Sequence, residues 1–374
     1  MRAVLAVRSV PVRLPSGAST ATVVGVDGLP IEEVETFLGY LRTVGASRNT
    51  VTAYARHLAL WFRWLTGRGV GWERLDFEGL CMFVQDLADG TVPALHRVGE
   101  ARAARPRSRA TQEAVLAAVC SFLDYWRLEG RGPRDLALYR QARTSGQTAY
   151  RFLAHVEARR GRMERRIRVK GPKAAPPRIV GFEDDFARLV TAAGTARDRA
   201  LLSALYDGGL RIGQALGLRH EDLDIARQRV TVVRREDNAN AALSKQRATF
   251  TVDMPGRFFE FYGQSLVDEQ LALGIDSDYV FVTLTPGRFL GRPMTYANAV
   301  QRVKAIGARA GVELTPHTLR HTHGTALAKA SWSAPEIAKR LGHSNASSAD
   351  VYIHLVEDDI VDKYRAMFGD RVGP

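Results

Sequence analysis

From Ile31 onward the apolar positions recur with a helical period. Val34, Phe37, Leu38 and Leu41 fall at i, i+3, i+4 and i+7, the stripe of an amphipathic helix. Ser47-Arg48-Asn49-Thr50 reads as an N-cap cluster opening a second helix, with Val51, Tyr54, Leu58, Trp61, Phe62 and Leu65 on one face. The opposite side carries Arg48, Arg56 and Arg63. Further apolar helical stretches lie around 80–87 and 115–126, the latter preceded by Arg105, Arg107 and Arg109. This pattern predicts an all-helical domain over 31–144. Residues 1–30, ending in the turn signal Gly28-Leu29-Pro30, read as an irregular or strand-containing arm.

The pattern breaks over 145–178. Arg159, Arg160, Arg162, Arg165, Arg166, Arg168, Lys170 and Lys173 crowd together and run into Gly171-Pro172 and Pro176-Pro177, which stop regular structure. The stretch reads as a basic interdomain linker, a flexible strap suited to a protein that closes around a duplex.

Helical spacing returns from Ile179. Phe186, Leu189 and Val190, then Leu201, Leu202 and Leu205, mark two amphipathic helices, and Gly208-Gly209 marks a turn before Arg211. Residues 229–234 and 249–252 are rich in β-branched side chains and flank the polar Asn238-Ala239-Asn240, which predicts a β-hairpin with an extended tip. Helices resume near 297–310, 318–330, 335–341 and 360–368. The fold class is mainly α with a small β-hairpin or sheet (α+β), the second domain spanning 179–374.

Composition narrows the partner. The 374 residues carry 53 Lys+Arg against 40 Asp+Glu, a formal charge of +13, which favours a polyanion, nucleic acid first. Cys81 and Cys120, both in apolar helical surroundings, are expected as buried thiols, not a disulfide framework or a zinc site. No continuous apolar h-region opens the chain and no run of about eighteen apolar residues occurs, so the expectation is a cytoplasmic, nucleoid-associated protein without a membrane partner.

The chemistry is concentrated in the second half. Breaking a DNA phosphodiester without a metal needs a nucleophile, cations for the non-bridging oxygens, a proton donor for the leaving 5′ oxygen and help in deprotonating the nucleophile. Arg211 and Arg320 suit the cationic task, because the guanidinium fork donates two parallel hydrogen bonds to phosphate and stays protonated. His317 and His343 can donate to phosphate or accept a phenolic proton. Tyr352, nine positions after His343, would be the nucleophile. A metal-dependent nuclease needs convergent carboxylates, whereas Glu221, Asp222 and Asp224 share one short stretch that reads as capping a helix end.

These residues resemble the tyrosine recombinase (phage integrase) family. The matching segments are Tyr206-Asp207-Gly208-Gly209-Leu210-Arg211-Ile212, Thr315-Pro316-His317-Thr318-Leu319-Arg320-His321-Thr322-His323-Gly324, Leu341-Gly342-His343-Ser344 and Val351-Tyr352-Ile353-His354. Asn49-Thr50-Val51-Thr52-Ala53-Tyr54 extends the likeness to that family's helical, SAM-like core-binding domain. The resemblance implies a two-domain C-shaped clamp. It also implies site-specific recombination through a 3′-phosphotyrosyl intermediate, with no cofactor and no metal, since one phosphoester is exchanged for another.

It further implies a hairpin lysine that protonates the leaving oxygen, for which Lys245 is the sole local candidate between Lys173 and Lys304. DNA contacts are expected at Arg48, Asn49, Thr50, Arg56, Arg107, Arg109, Arg165 and Arg166. The implied partners are double-stranded DNA target sites and a homo-tetramer on two duplexes, with or without an accessory or partner recombinase. The position three after Arg211, commonly acidic in the family, is Gln214, which still donates and accepts hydrogen bonds. The alternatives are a type IB topoisomerase and a DNA-binding protein of the same fold with weakened catalysis.

Overall fold

A computed structural model describes residues 7–15, 17, 19–92, 94–95, 101–102, 105–133, 136–141, 163–169, 178–235, 237–242, 249–343 and 346–353. The chain divides into two units, Met1–Ala175 and Pro176–Pro374.

The first unit opens with a hairpin. β1 (Arg8–Arg13) pairs antiparallel with β2 (Ser19–Val24), Arg8 opposite Val24 and Arg13 opposite Ser19. The arm therefore contains strands, and Ala21, Val23 and Val24 of β2 are buried. Among the described residues four main helices follow: α1 (Glu32–Thr43), α2 (Arg48–Arg68), α3 (Phe77–Asp89) and α4 (Arg109–Leu128). Ser47 caps α2, its Oγ accepting the Thr50 N–H at 3.2 Å, a contact of about 1 kcal/mol. Around α2 pack β2, α1 and α4, so its residues from Leu58 to Leu65 are all buried.

That enclosure corrects the expectation for Arg63, which is not on a solvated basic face. Arg63 is buried, and its Nε donates to the Ala59 carbonyl at 3.1 Å. Burial first, then the charge of Arg107, lowers its guanidinium to about 10. The core is aromatic: Phe122 meets Trp61, Phe62 and Trp72 edge-on, with ring centroids 5.5, 5.8 and 5.2 Å away. Cys120 is buried there as expected, but Cys81 is exposed, lying outside the stripe of Leu80, Phe83 and Leu87 on α3.

This unit also holds two short strand pairs, β3 (Ala94–Leu95) with β4 (Ala101–Arg102) and β5 (Tyr139–Gln141) with β6 (Met163–Arg165). β6 lies within the stretch expected to be a flexible linker. Arg165 pairs with Tyr139 in the ladder, while Ile167 and Val169 join the first core. Just after β6 the alternation Arg166-Ile167-Arg168-Val169 sets its apolar members against the core, a signal masked by its charge.

In the second unit, α5 (Glu183–Ala192), α6 (Ala196–Tyr206) and α7 (Ile212–Leu216) precede a three-stranded antiparallel sheet in the order β7 (Leu223–Asp224), β8 (Arg229–Val232), β9 (Phe250–Asp253). The expected hairpin is β8 with β9, Val230 opposite Val252. The start of its connection folds back instead of projecting, because Asn240 Nδ2 donates to the carbonyls of Leu216 and Met294, both at 2.9 Å. After β9 come α8 (Gly256–Gln264), which lies outside the helices expected from the sequence, and then α9 (Tyr296–Ala310), α10 (Pro316–Lys329) and α11 (Ala334–Leu341). The helix expected over 360–368 and the stretch holding Lys245 lie outside the described residues. Among the described residues no helix is long and apolar enough to cross a membrane.

Candidate active site

Two turns and one helix build the site. The first turn, 207–210, ends α6. Gly209 has φ +59°, and a Cβ there would stand 2.6 Å from His323 Cδ2 and 2.7 Å from Leu341 Cδ2, so the backbone can lie against α10 and α11 only as glycine. The turn is anchored by Asp207, whose carboxylate accepts from Ser203 Oγ and from Arg257 Nε at 3.0 Å. Arg340 Nη2 donates to the Asp207 carbonyl at 3.3 Å. Arg211 then caps α7, its backbone N–H donating to Gln214 Oε1 at 2.7 Å. Gln214, buried, thus holds the backbone of Arg211.

The second turn ends α11. The His343 N–H reaches back to the Ala338 carbonyl at 2.7 Å, leaving the carbonyls of Leu341 and Gly342 to other donors. Arg320 Nη2 takes Leu341 O at 2.8 Å, Arg320 Nη1 takes Gly209 O, and Arg211 Nη1 takes Gly342 O at 3.3 Å. The two guanidiniums are therefore tied across the two turns. Charged hydrogen bonds of this kind are worth roughly 1.5–3 kcal/mol each.

α10 presents the rest. Thr315 caps it, Oγ1 accepting the Thr318 N–H at 3.1 Å, and Pro316 occupies its first position. His317 is exposed near the positive end of this helix, whereas Arg320 one turn later is 4% exposed. Tyr352 sits on the helical turn 350–353, 2% exposed, in a small cluster with Ala328, Ile337, Ala338, Leu341 and Ala349. Its ring lies against Gly324, where a Cβ would stand 2.6 Å from both Cε1 and Cζ.

Electrostatics follow from burying cations together. Burial, then the neighbouring charge of Arg211, lowers Arg320 to about 9, so it stays protonated at neutral pH. Burial also lowers Arg211, with Tyr352 opposing. The Tyr352 phenol is pushed up by burial and drawn back by Arg320 and Arg211. His343 falls to about 4 through burial, Arg320, Arg211 and His321, so its imidazole is neutral at pH 7. One buried and one half-buried cation beside a phenol form a place where an anion such as a phosphate diester would be stabilised.

Arg211, Arg320, His343 and Tyr352 are thus brought together, with His317 approaching through His321: the rings of His317 and His321 are 6.0 Å apart, those of His321 and Tyr352 5.7 Å. Sequence reading gave no role to His321, His323, Asp207, Arg257 or Arg340. The histidines stood within the motif, but Arg257 and Arg340 meet the 207–210 turn only through the fold. Asp222 is no part of this site, since its carboxylate accepts from Arg235 Nη1 at 2.7 Å and from the Arg219 N–H at 2.8 Å.

The residues expected at DNA divide. Arg48, Asn49 and Arg56 are exposed on α2, and Thr50 shares the Ser47 cap. Arg107 is half-buried just before α4, and Arg109 pairs with Glu113 at 2.8 Å. Arg165 lies in β6, while Arg166 stacks 4.0 Å over the Phe77 ring and donates to the Ala137 carbonyl at 3.2 Å.

A fold of helical first unit and mixed second unit, with two arginines, a histidine and a tyrosine around one point, defines a class of DNA-cleaving proteins. The phage integrase family matches residues 182–358, and its N-terminal SAM-like domain matches residues 34–130. The chain belongs to this family, the tyrosine recombinases, and is a DNA breaking and rejoining enzyme of site-specific recombination. It is similar to transposase A of transposon Tn554 from Staphylococcus aureus, 32% identical over 339 residues that cover 89% of this chain and 90% of the relative. It is also similar to the tyrosine recombinase XerD of Listeria innocua, 25% identical over 66% of this chain and 80% of the relative. Among solved structures, the fold is shared with XerH recombinase bound to palindromic difH substrate (TM-score 0.58, 15% identity, 89% of this chain and 88% of that one). It is shared too with the Tn1549 integrase in complex with transposon right end DNA (TM-score 0.55, 16% identity, 85% and 93%). Nothing in these relationships supports the topoisomerase alternative.

Proposed function

We propose that Tyr352 is the nucleophile of a metal-free transesterification and that this chain moves a mobile DNA element. The observation that carries the chemistry is the cross-tie of Arg211 and Arg320 beside the buried Tyr352 ring. In this reading the two guanidiniums bind the non-bridging oxygens and meet the charge that develops at phosphorus. His343, held neutral, takes the phenolic proton as Tyr352 Oη bonds to phosphorus. His317 donates to the phosphate from the start of α10. The bond to the 5′ oxygen breaks, Lys245 protonates that oxygen, and a 3′-phosphotyrosyl link and a free 5′-hydroxyl remain. The 5′-hydroxyl of a second duplex then attacks the link and releases Tyr352.

Residues 31–144 form the core-binding domain, and the exposed face of α2 with the start of α4 contacts DNA through Arg48, Asn49, Thr50, Arg56, Arg107 and Arg109. Arg165 and Arg166 would contribute from the edge of the first unit. Four copies would act on two duplexes in the cytoplasm, at the nucleoid, with or without a partner recombinase. The transposon reading rests on likeness to the Tn554 transposase over nearly the whole chain. Its test is a plasmid assay pairing candidate element ends with a target: joined products that require the protein support it, and their absence with all mobile-element ends tried opposes it.

A further inference from the structure

One face of α10 carries a residue that the proposed chemistry leaves unused. His317, His321 and Gly324 follow at i, i+4 and i+7, so their side chains line the same side of the helix. Gly324 provides the flat surface on which the Tyr352 ring rests, closer than any Cβ would permit. His321 stands beside it at 5.7 Å between ring centroids, the planes inclined by 52°. Its Nδ1 is buried and has no hydrogen-bond partner among the described residues. Burial, His317 and Arg320 all lower the His321 pKa, so it faces the phenol uncharged.

We propose that His321 is a positioning residue for the nucleophile: its ring and Gly324 form the wall that fixes the direction of the Tyr352 phenol toward the phosphate held by Arg211 and Arg320. This rests on Tyr352 being the nucleophile. A tilt of the ring displaces Oη most, because that atom is farthest from the backbone, and misplacement by about 1 Å can lower a rate by on the order of 10²-fold.

The test separates the nucleophile from the phosphate. On a nicked suicide substrate, His321→Ala should slow covalent adduct formation by on the order of 10- to 100-fold while DNA affinity stays within about twofold. His321→Phe, which keeps a ring, should recover most of the rate. Gly324→Ala, which places a methyl group against Tyr352, should slow it as His321→Ala does. In a Tyr352→Phe background, hydrogen peroxide supplied as a small nucleophile should cleave the scissile phosphate equally well with or without His321→Ala. The proposal is overturned by wild-type adduct rates in His321→Ala, by His321→Phe as slow as His321→Ala, or by a parallel loss of peroxide cleavage, which would put His321 on the phosphate. Thermal melts of each variant identify unfolding, and if Gly324→Ala does not fold the two His321 variants decide the question. An adduct of normal yield in Tyr352→Phe alone would overturn the nucleophile assignment itself, whatever His321 does.

Discussion

The guanidinium of Arg211 donates to the backbone carbonyl of Gly342 at 3.3 Å, across 131 positions of sequence. Arg320 makes the reciprocal connection to Gly209. Neither arginine is held by a carboxylate among these bonds, so each keeps its full charge for an anion while its direction is fixed by carbonyl dipoles. Replacing either by alanine should lower cleavage by about 10²- to 10³-fold and weaken DNA binding much less. Anisotropy measured beside single-turnover cleavage separates the two, and equal losses in both would make these arginines ordinary backbone contacts.

Gly209→Ala tests the turn itself. The positive φ and the close approach of His323 and Leu341 both oppose a side chain, so the substitution should destabilise the second unit by about 1–3 kcal/mol or more. Denaturant unfolding measures this. An unchanged midpoint would mean that the turn relaxes freely and does not fix Arg320.

A pH dependence follows from two half-buried imidazoles. His343 is lowered to about 4 and His323 to about 3, burial being the first cause in both. The unfolded chain takes these protons near the ordinary value of about 6.5, so between there and about 4 it binds more protons than the folded chain. Stability from these groups is therefore complete above about 6.5 and declines as pH falls through that window. His343→Asn should flatten the slope by up to about one proton. Identical slopes in the two proteins would show that His343 titrates normally.

The motif residues were legible because the family chemistry needs fixed types at fixed spacing along α10 and after α11. What the sequence hid was environment. Arg63 follows the basic side of an idealised helix, yet α2 is covered by β2, α1 and α4 together, so a single-face reading fails there. Ile167 and Val169 stand among Arg165, Arg166 and Arg168, so they and strand β6 look like linker in the sequence. His323 stood in plain view within the motif, but its contact with Gly209 exists only once α6 and α10 pack together.

Lys245→Ala should lose cleavage on ordinary DNA and regain it on a substrate with a 5′-bridging phosphorothiolate, because a thiolate leaves without protonation. The same substrate should not rescue Tyr352→Phe. Persistent inactivity of the lysine variant on the thiolate substrate would move the acid role to another residue.

DNA affinity should fall steeply with salt. With on the order of ten phosphate contacts the log-log slope is roughly −9, and a slope shallower than about −3 would contradict contact through both units. Chelators should leave cleavage unchanged, since every role in the proposed step is filled by a side chain.

The central claim is that Tyr352 bonds to the scissile phosphate, and the most direct measurement is peptide mapping of the trapped adduct. After incubation with a nicked suicide substrate, protease digestion and mass spectrometry should find the nucleotide remnant on Tyr352, and Tyr352→Phe should bind the same DNA yet give no band on a denaturing gel. A remnant on any other residue, or a band of normal yield in Tyr352→Phe, would contradict it.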